Sequence, residues 1–402
     1  MPEGQGVLIT GLGLVLPQGV GLASADAVFE GRSAVGRMPD MPGMPDATGA
    51  VLHEFTPPPA AAHEDRAVQF AAAAAEEAWA GAGLHSAPLP AERIATVISL
   101  SKGCLLALTR LGEGRGNGRM AWPRLTADAA ASFVASRFGL RGPVLAPVTA
   151  CASGGHALAW GASLVARGAA DAALVGAAEA SLHPLVIGSY RRMGVLADAG
   201  ADPATSVRPF SATRRGFAIG EGAAVLVLES ESSAARRGAP ALARVKGWAA
   251  GAQVCGMAEM DPAGEALARI IADAMARAGI APDAVDYVHA HGTATAGNDL
   301  AEARAIRRAL GRAADRASVS STKASHGHLL GAATAVELVL TVLAMRRAEV
   351  PPTANLTDPD PAIDLDCTPL VARRRPIRHA LKVASGFGGQ MMAVVLALPD
   401  AK

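Results

Sequence analysis

The sequence carries almost no net charge, and this absence excludes several classes of partner. It has 37 Lys and Arg against 36 Asp and Glu, a formal net charge of +1. Because no field extends over the whole chain, we expect neither nucleic acid nor a membrane surface to bind it. Charged residues are only 18% of the 402 and half of the residues are apolar, so a large buried core is expected.

Paired cysteines are also missing. The four cysteines, at positions 104, 151, 255 and 367, include no C-x-x-C pair, which argues against a zinc ribbon or a thioredoxin-type motif. Four cysteines in a chain of this length do not indicate a disulfide framework either. We therefore expect neither cross-links nor a metal ribbon to organise the fold.

Long apolar runs and targeting signals are absent as well. The best candidate for a membrane span is interrupted by Glu337 and then by Arg346. The first ten residues, MPEGQGVLIT, lack the basic region and the apolar core of a signal peptide. The sequence therefore predicts a cytoplasmic protein.

What the sequence does contain is an alternation of short apolar runs with longer helical patterns. The runs IATVISL (94–100), AALVGAAE (172–179) and AAVLVLES (223–230) are typical of strands buried on both faces, which belong to sheets covered by helices on both sides. This alternation predicts an α/β fold. One Gly-rich, basic stretch, GEGRGNGR (112–119), has no strand leading into it and is predicted to be a mobile loop.

Two pairs of similar segments indicate an internal duplication. The helical patterns at 67–84 and 263–280 are alike, and each is followed by a strand after a short connection that contains proline. The stretches ASGGH, ending at His156, and ASHGH, ending at His328, each lead into an Ala-rich apolar run. We predict two halves, 1–240 and 241–402, that pack as one body because no low-complexity linker separates them.

Cys151 is the first candidate for chemistry. It follows an apolar run and opens a predicted helix, where free N–H groups and the positive end of the helix dipole favour a thiolate. The competing interpretation is a small buried residue, which is how most free cysteines behave. Cys151 by itself does not decide between the two.

Histidines near predicted strand ends favour chemistry. His289 and His291 end one strand, and Lys323, His326 and His328 follow another. A lone histidine is usually a satisfied core residue, but a cysteine and two glycine-flanked histidines at strand ends and helix starts together indicate a site. A metal held by His289 and His291 stays open, although no third ligand is spaced to complete the set.

The motifs TACASGG (149–155), HGTAT (291–295), STKASHGHLLGAA (321–333) and GFGG (386–389) resemble those of the β-ketoacyl-acyl carrier protein synthases. The resemblance covers nearly the whole chain and is closest to the elongating synthases of dissociated fatty acid synthesis and their polyketide relatives. It implies a thiolase-like fold, in which two βαβαβαββ halves form an α-β-α-β-α sandwich that is usually dimeric. The two similar helix entrances would then begin equivalent helices whose N-termini meet at one active site.

The resemblance gives a role to four matching residues. Cys151 would hold the acyl chain as a thioester. His291 and His328 would donate hydrogen bonds to the enolate that forms when a malonyl-carrier thioester loses carbon dioxide. The backbone N–H groups of Cys151 and Phe387 would form an oxyanion hole, and Phe387 would also gate the acyl pocket.

Other matching residues are expected to support this chemistry. Lys323 is predicted to form a buried ion pair with Glu337, because a carboxylate in the apolar run AVELVL needs a partner. Thr293 and Thr295 would bind the phosphopantetheine arm of the carrier, whereas His156 and His326 are interpreted as structural. The remaining candidates are Tyr190 and Gly388, as substrate-contacting residues, and Asp299 and Glu302, as supporting residues.

The resemblance also predicts the partners. Acyl carrier protein would deliver the substrate, and the second subunit of a dimer would be identical or a related ketosynthase-like chain. No metal or redox cofactor is implied, because the substrate travels on the carrier's phosphopantetheine. The whole chain is nearly neutral, so the carrier is expected to dock on a local basic surface that includes Arg191 and Arg192.

Three features depart from the family pattern around the gate. Gln390 and Met391 follow GFGG where Thr-Asn is frequent, and Ser385 precedes it where many fatty acid enzymes have an aromatic residue. The segment 249–265 is short, with Gln253 where an Asp is common. These changes favour a specialised polyketide or polyene pathway with bulkier chains, although fatty acid synthesis stays open.

Two residues and two further functions stay open. Lys102 and Cys104 lie in a stretch that aligns with the region closing the acyl pocket, and the family pattern does not account for them. One alternative function is a non-catalytic partner that shapes a heterodimer pocket, against which Cys151 argues. The other is an acyltransferase or decarboxylase that does not elongate.

Overall fold

A computed structural model of the protein describes residues 6–38, 40–115 and 122–399. Residues 1–5, where no signal peptide was predicted, and residues 116–119 of the predicted Gly-rich loop lie outside the described residues. The strands are β1 Val7–Leu16, β2 Gly19–Val20, β3 Val35–Arg37, β4 Thr48–Ala50, β5 Ile94–Leu100, β6 Val144–Leu145, β7 Ala172–Glu179, β8 Ile219–Gly220, β9 Gly222–Ser230, β10 Ala243–Ala252, β11 Tyr287–His289, β12 Ser318–Ser320, β13 Glu349–Val350, β14 Arg373–Arg374, β15 His379–Gly386 and β16 Gln390–Ala397.

Helices connect most of these strands. They are α1 Ala25–Phe29, α2 Arg66–Gly81, α3 Leu105–Gly112, α4 Ala129–Phe138, α5 Ser153–Ala166, α6 Pro184–Arg192, α7 Glu231–Arg237, α8 Glu265–Ala278, α9 Ala296–Leu310, α10 Lys323–His326 and α11 Ala333–Arg347. The two helical patterns that the sequence paired are α2 and α8. The side chain of Asp65 caps α2 by accepting from the N–H of Ala67, and Gly279 ends α8 in a left-handed conformation. None of the described helices is long and apolar enough to cross a membrane.

The main sheet repeats one arrangement twice. In its order, β12-β11-β15-β16-β10-β1-β9-β7-β5-β6, the antiparallel pair β10–β1 joins two sets of five strands. In each set the first three strands pair antiparallel and the last two pairings are parallel. The chain order in the first set is β1-α2-β5-α4-β6-α5-β7-β9, and in the second it is β10-α8-β11-α9-β12-α11-β15-β16. Both are βαβαβαββ, so the predicted duplication is confirmed.

The layers follow from where the apolar side chains lie. One cluster packs α2 and α4 on the outer face of the first set of strands, with Phe70 and Ile98 among its members. A second packs α8 and α9 on the outer face of the second set, with Ile271 and Val395. The largest cluster lies between the two sets and holds α5 and α11. This arrangement is the predicted α-β-α-β-α sandwich.

The two central helices touch at their first turns. A Cβ on Gly154 would lie 2.5 Å from the backbone N of Ala335, so only glycine lets the helices approach this closely. Thr334 Oγ1 also donates to the carbonyl of Cys151 at 2.7 Å. The N-termini of α5 and α11 therefore meet at one place, as the two similar sequence entrances predicted.

Candidate active site

Three side chains from distant parts of the chain converge where the N-termini of α5 and α11 meet. Cys151 lies in a single 3₁₀ turn before α5, His291 follows β11, and His328 lies between α10 and α11. All three are buried, and their Sγ and imidazole nitrogens lie within 4.8 Å of one another. They line a cavity of about 430 Å³ together with Phe387.

His291 is held by its backbone. Glu302 accepts from the N–H of His291 at 2.5 Å and from the N–H of Gly292 at 2.8 Å, while Lys323 Nζ donates to the His291 carbonyl at 2.5 Å. The imidazole Nδ1 is buried without a hydrogen-bond partner among the described residues. The backbone is fixed and the ring faces the other two site residues.

His328 has its hydrogen on the nitrogen that faces the site. The N–H of Leu330 donates to His328 Nδ1 at 3.2 Å, so in the neutral ring the hydrogen lies on Nε2. The ring meets that of His291 edge to face, with centroids 5.4 Å apart, and packs against Phe217. His328 Nε2 can therefore donate a hydrogen bond into the cavity.

Both imidazoles are neutral at physiological pH. Burial, followed by the charge of Lys323, lowers the pKa of His291 and of His328 well below 6.5. A neutral imidazole can donate one hydrogen bond without carrying a charge into an apolar cavity.

The predicted preference of Cys151 for the thiolate is wrong for the unliganded site. Burial raises the pKa of the Cys151 thiol to about 11, although the charges of Lys102 and Lys323 act in the opposite direction. The penalty for burying the thiolate therefore exceeds the attraction of the two lysines. Cys151 is therefore a thiol at neutral pH.

A buried ion cluster lies behind the histidines. The predicted pair of Lys323 and Glu337 is present, with Lys323 Nζ bonded to Oε1. Lys382 Nζ lies 2.7 Å from Oε2 of the same carboxylate and also donates to the Ala290 carbonyl at 3.0 Å. All three side chains are fully buried. The two lysines thus share one carboxylate and hold consecutive carbonyls of the segment that ends in His291.

Lys382 is the site residue that sequence reasoning missed. The sequence does contain a feature that could have revealed it: a lysine inside the apolar run of β15, because a buried charge requires a partner. Burial lowers the pKa of Lys382 to about 8, against the attraction of Glu337. Burial alone would raise the pKa of Glu337, but Lys323 and Lys382 hold it well below 4.5.

The supporting acidic residues act on the backbone. Asp299 accepts from the N–H of Phe210 at 2.8 Å, and burial raises its pKa. Burial also raises the pKa of Glu302 to about 7, although the N–H groups of Gly292 and His291 donate to it. Glu302 thus anchors the loop after β11, and Asp299 anchors the segment of Phe210.

Two predicted substrate-contacting threonines line the cavity. Thr293 and Thr295 are both in its wall, and their hydroxyl groups lie 2.9 Å apart. Tyr190 does not line this cavity but packs on the gate residue, with its ring centroid 5.7 Å from that of Phe387. The tyrosine therefore supports the gate from outside.

The predicted gate residue, Phe387, lies in the hairpin turn between β15 and β16. Gly388 and Gly389 both have a φ of 75°, a left-handed conformation that favours glycine, and a Cβ on Gly389 would collide with the Gln253 carbonyl. A Cβ on Gly386 would lie 3.1 Å from the N of Cys151, so this turn approaches the nucleophile closely. Segment 249–265 thus packs directly on the gate through Gln253.

The residues that depart from the family pattern divide into two groups. Ser385 lines the cavity, and its hydroxyl is buried without a partner among the described residues. Met391 points instead into the apolar core under α8 and α9. Cys104 is buried in the core beside α4, where burial raises its pKa to about 12. Ser385 can therefore affect substrates, whereas Met391 and Cys104 serve packing.

The other histidines have structural partners. His289 bonds Thr341 and Thr322 through its two ring nitrogens, at 2.9 and 3.0 Å. His326 bonds the Thr322 hydroxyl at 2.8 Å and the Gly327 carbonyl at 2.8 Å. His156 likewise bonds Thr149, at 3.0 Å. These contacts remove His289 as a metal ligand and agree with the structural interpretation of the other two.

The converging cysteine and histidines also have the composition of a metal site. Cys151, His291 and His328 form the only group of at least three convergent ligands found in the described part of the chain. Three protein ligands with a free fourth position are typical of catalytic zinc. The same geometry serves a thiol nucleophile with two hydrogen-bond donors, and the two uses differ in their response to a chelator.

The buried histidines predict acid destabilisation. The pKa values of His289, His291 and His328 are lowered well below 6.5 and that of His326 to about 4, each chiefly by burial. Below pH 6.5 the unfolded chain therefore binds more protons than the folded one, and stability falls as the pH is lowered. The expected slope is up to about 1.4 kcal/mol per pH unit for each histidine. Because burial raises the pKa of Glu302 to about 7, its protonation in the folded protein offsets the destabilising contribution of roughly one of the four histidines between pH 7 and 4.5.

Denaturant unfolding at pH 7 and pH 5 measures this slope. His326→Gln should reduce it, whereas a substitution of the exposed His53 to Gln should leave it unchanged. A free energy of unfolding that is constant between the two pH values would contradict neutral histidines in the folded state.

Comparisons with known proteins agree with this geometry. Residues 5–234 match the family model of the β-ketoacyl synthase N-terminal domain, and residues 242–357 match that of the C-terminal domain. The chain is 36% identical over 413 residues to the tetracenomycin polyketide synthase ketoacyl synthase alpha subunit of Streptomyces glaucescens, covering 98% of this chain and 97% of the relative. It is 35% identical over 408 residues to 3-oxoacyl-[acyl-carrier-protein] synthase 2 of Coxiella burnetii, covering 98% and 99%.

Solved structures resemble the chain over its full length. One is a type II polyketide ketosynthase solved with its acyl-carrier protein and bound to the hexaketide, with a TM-score of 0.91 and 33% identity, covering 99% of this chain and 100% of that one. Another is the ishigamide ketosynthase/chain length factor, with a TM-score of 0.89 and 28% identity, covering 98% and 100%. The thiolase-like architecture predicted from the motifs is thus shared with solved ketosynthases.

Proposed function

The chain belongs to the β-ketoacyl synthase family, and we propose that it is a 3-oxoacyl-[acyl-carrier-protein] synthase that performs a decarboxylative condensation. The observation that carries the proposal is the convergence of the Cys151 thiol with two neutral imidazoles at one end of a cavity. A thiol supplies the nucleophile, and neutral imidazoles supply hydrogen bonds to an oxygen on which negative charge develops.

The first step loads the acyl chain. The Cys151 sulfur attacks the carrier thioester, its proton passes to the departing pantetheine sulfur, and the acyl group remains bonded to Cys151. The tetrahedral oxyanion lies between the backbone N–H groups of Cys151 and Phe387. The close approach of the 386–389 turn to Cys151 N supports this assignment.

The second step generates and uses an enolate. The carbon–carbon bond to the malonyl carboxylate breaks, carbon dioxide leaves, and the electron pair moves to an enolate. The enolate oxygen accepts from His328 Nε2–H and from His291. The enolate carbon then attacks the Cys151 thioester, and the released thiolate regains a proton because its pKa of about 11 favours the thiol.

The other residues hold this arrangement in place. Lys323 and Lys382, both paired with Glu337, hold the carbonyls of His291 and Ala290. Glu302 holds the N–H groups of His291 and Gly292. Thr293 and Thr295 contact the phosphopantetheine arm, and Phe387 and Gly388, backed by Tyr190, form the gate. Asp299 anchors the Phe210 segment. No metal or redox cofactor takes part, and the acyl groups arrive on the carrier's phosphopantetheine.

Within this proposal the chain divides at 240/241 into two halves. The first carries the nucleophile and the second carries the histidines. The cytoplasmic location predicted from the sequence is part of the same proposal. A non-elongating acyltransferase or decarboxylase is the second candidate, because it would use the same cysteine and histidines.

One experiment separates these functions. The purified chain is incubated with malonyl-carrier and a panel of acyl-carriers, and the products are identified by mass spectrometry with and without EDTA. A β-ketoacyl-carrier formed equally in both conditions supports the proposal. Loss of malonyl carboxylate without a condensed product favours the second candidate, and inhibition by EDTA would favour a metal at Cys151.

We propose that a second subunit covers the edge of the sheet at β6. Val144 and Leu145 are 40% and 39% exposed on this edge strand, and Val148, three residues further along the chain, is 50% exposed, as is Trp160 on α5. An apolar edge strand left in water promotes pairing with another chain. Either a second copy or a related ketosynthase-like chain would fit this surface.

The acyl carrier is expected to dock beside the mouth of the cavity. Arg191 and Arg192 end α6 and are exposed, and Gly194 and Val195 immediately after them line the cavity. The Arg191→Glu, Arg192→Glu double variant should therefore weaken carrier binding about tenfold or more, and binding to the unaltered protein should fall with salt. Titration by fluorescence anisotropy measures both effects.

The matched control is Arg236→Glu. Arg236 is an exposed arginine on α7, at the end of β9 remote from the cavity. If the control and the double variant bind the carrier alike, the docking surface lies elsewhere.

A further inference from the structure

Lys102 lies at the edge of the sheet where the site is built. It follows β5 by two residues, and β5 pairs in parallel with β6, which leads to Cys151, and with β7, which ends at Glu179. The carboxyl ends of neighbouring parallel strands therefore bring Lys102, Cys151 and Glu179 to one edge. Ligands of open α/β sheets bind beyond this edge.

A short hydrogen-bond chain links Lys102 to the segment that carries His328. Lys102 Nζ donates to Ser101 Oγ at 2.8 Å, and Ser101 Oγ donates to Glu179 Oε2 at 2.5 Å. The same Glu179 oxygen accepts from the N–H of Gly331 at 2.9 Å, three residues after His328. Lys102 is thus linked to the segment that carries His328, and its positive charge acts on both Cys151 and His328, although Lys102 does not line the cavity described above.

The Lys102 ammonium keeps donors available. Its contact with Glu179 Oε1 is 3.6 Å, longer than a hydrogen bond, and Ser181 donates to that oxygen. An ammonium has three N–H donors, and within the described ranges one of them has a partner at hydrogen-bond distance. The side chain is 26% exposed, so another molecule can reach it.

We propose that Lys102 is a specificity-determining residue that donates to an oxygen carried by the acyl chain near its thioester. The chain would then elongate β-ketoacyl groups in preference to saturated ones. The ketone oxygen of a β-ketoacyl chain can accept a hydrogen bond from the Lys102 ammonium. A saturated chain would displace water from the ammonium and offer no acceptor in its place. This inference rests on the proposed condensing activity and names the acyl class that it uses.

The test compares saturated and 3-oxoacyl-carriers of matched chain length on the full-length protein. The unaltered protein should prefer the 3-oxo substrate. Lys102→Met, which keeps the length of the side chain without its charge, should lower kcat/KM for the 3-oxo substrate about tenfold or more. It should leave kcat/KM for the saturated substrate within about twofold or raise it. Lys246→Met is the control for a lysine on a strand away from this edge.

Other results would overturn the inference. Equal losses on both substrates, with a shifted pH profile for acylation, would show that Lys102 acts on the Cys151 thiol instead. Equal rates for Lys102→Met and the unaltered protein on both substrates would show that it has no part in selection. Acylation of Cys151 by the two acyl groups, read by mass spectrometry, reports the preference even if no condensed product forms. Acylation with the predicted preference but without condensation would therefore refute the proposed condensation and keep only the role of Lys102 in selecting the acyl group.

Discussion

Replacing Cys151 with alanine should abolish both formation of the acyl-enzyme and condensation. The alanine removes the only atom that can hold the acyl chain, so we expect a loss of at least about a thousandfold in kcat/KM. The backbone should be unaffected, because the carbonyl of residue 151 keeps its bond from Thr334. Intact-mass measurement after incubation with an acyl-carrier detects the missing adduct, and product analysis detects the missing condensation.

The control for this variant is Cys255→Ala. Cys255 is exposed, whereas Cys104, Cys151 and Cys367 are buried. General alkylation therefore cannot identify the catalytic thiol, since an exposed cysteine reacts with iodoacetamide whether or not it takes part in the reaction. An acyl-carrier is selective because only the cavity positions its thioester. Acylation that persists in Cys151→Ala and disappears in Cys255→Ala would refute the assignment.

Of the substitutions to glutamine, Glu337→Gln should lower the free energy of unfolding the most. It leaves the Lys323 and Lys382 ammonium groups fully buried and facing each other without a counter-charge. Removing one partner from a buried ionic group typically costs about 3–5 kcal/mol. Denaturant unfolding measures the loss, and Glu30→Gln, which breaks an exposed pair with Arg32, should not change the free energy of unfolding detectably.

A triple variant separates stability from function in this cluster. Lys323→Met, Lys382→Met, Glu337→Leu removes all three charges together, so it should recover much of the stability lost in Glu337→Gln. Activity should not recover, because no ammonium then holds the carbonyls of Ala290 and His291. If the triple variant condenses at the normal rate, the cluster has no positioning role.

Local sequence patterns predicted the α/β class and the duplication, and the family motifs predicted the sandwich architecture. The strands at 94–100 and 172–179 appear with the predicted bounds, because apolar runs buried on both faces fit a sheet covered by helices. The paired patterns now seen as α2 and α8 showed the duplication. The same repetition explains why Cys151 and His328 meet, since equivalent helices of two related halves converge at their N-termini.

Motifs identified the residue types of the site but not their protonation states. The sequence left two interpretations of Cys151 open, a thiolate favoured by the helix start and a small buried residue. In the folded protein, burial raises the pKa of the Cys151 thiol to about 11. The exposure of a side chain depends on elements far away in the chain, so local sequence does not report it.

By itself, then, the sequence predicted the α/β class and the duplication from short-range patterns, and its family motifs predicted the roles of Cys151, His291 and His328. Only the tertiary structure decided which charges meet. Lys382, on β15, meets Glu337 across 45 positions of the chain, and Lys102, two residues after β5, meets Glu179 across 77. The energy of a charge is set by its surroundings in space, and those surroundings are supplied by residues that no local pattern connects.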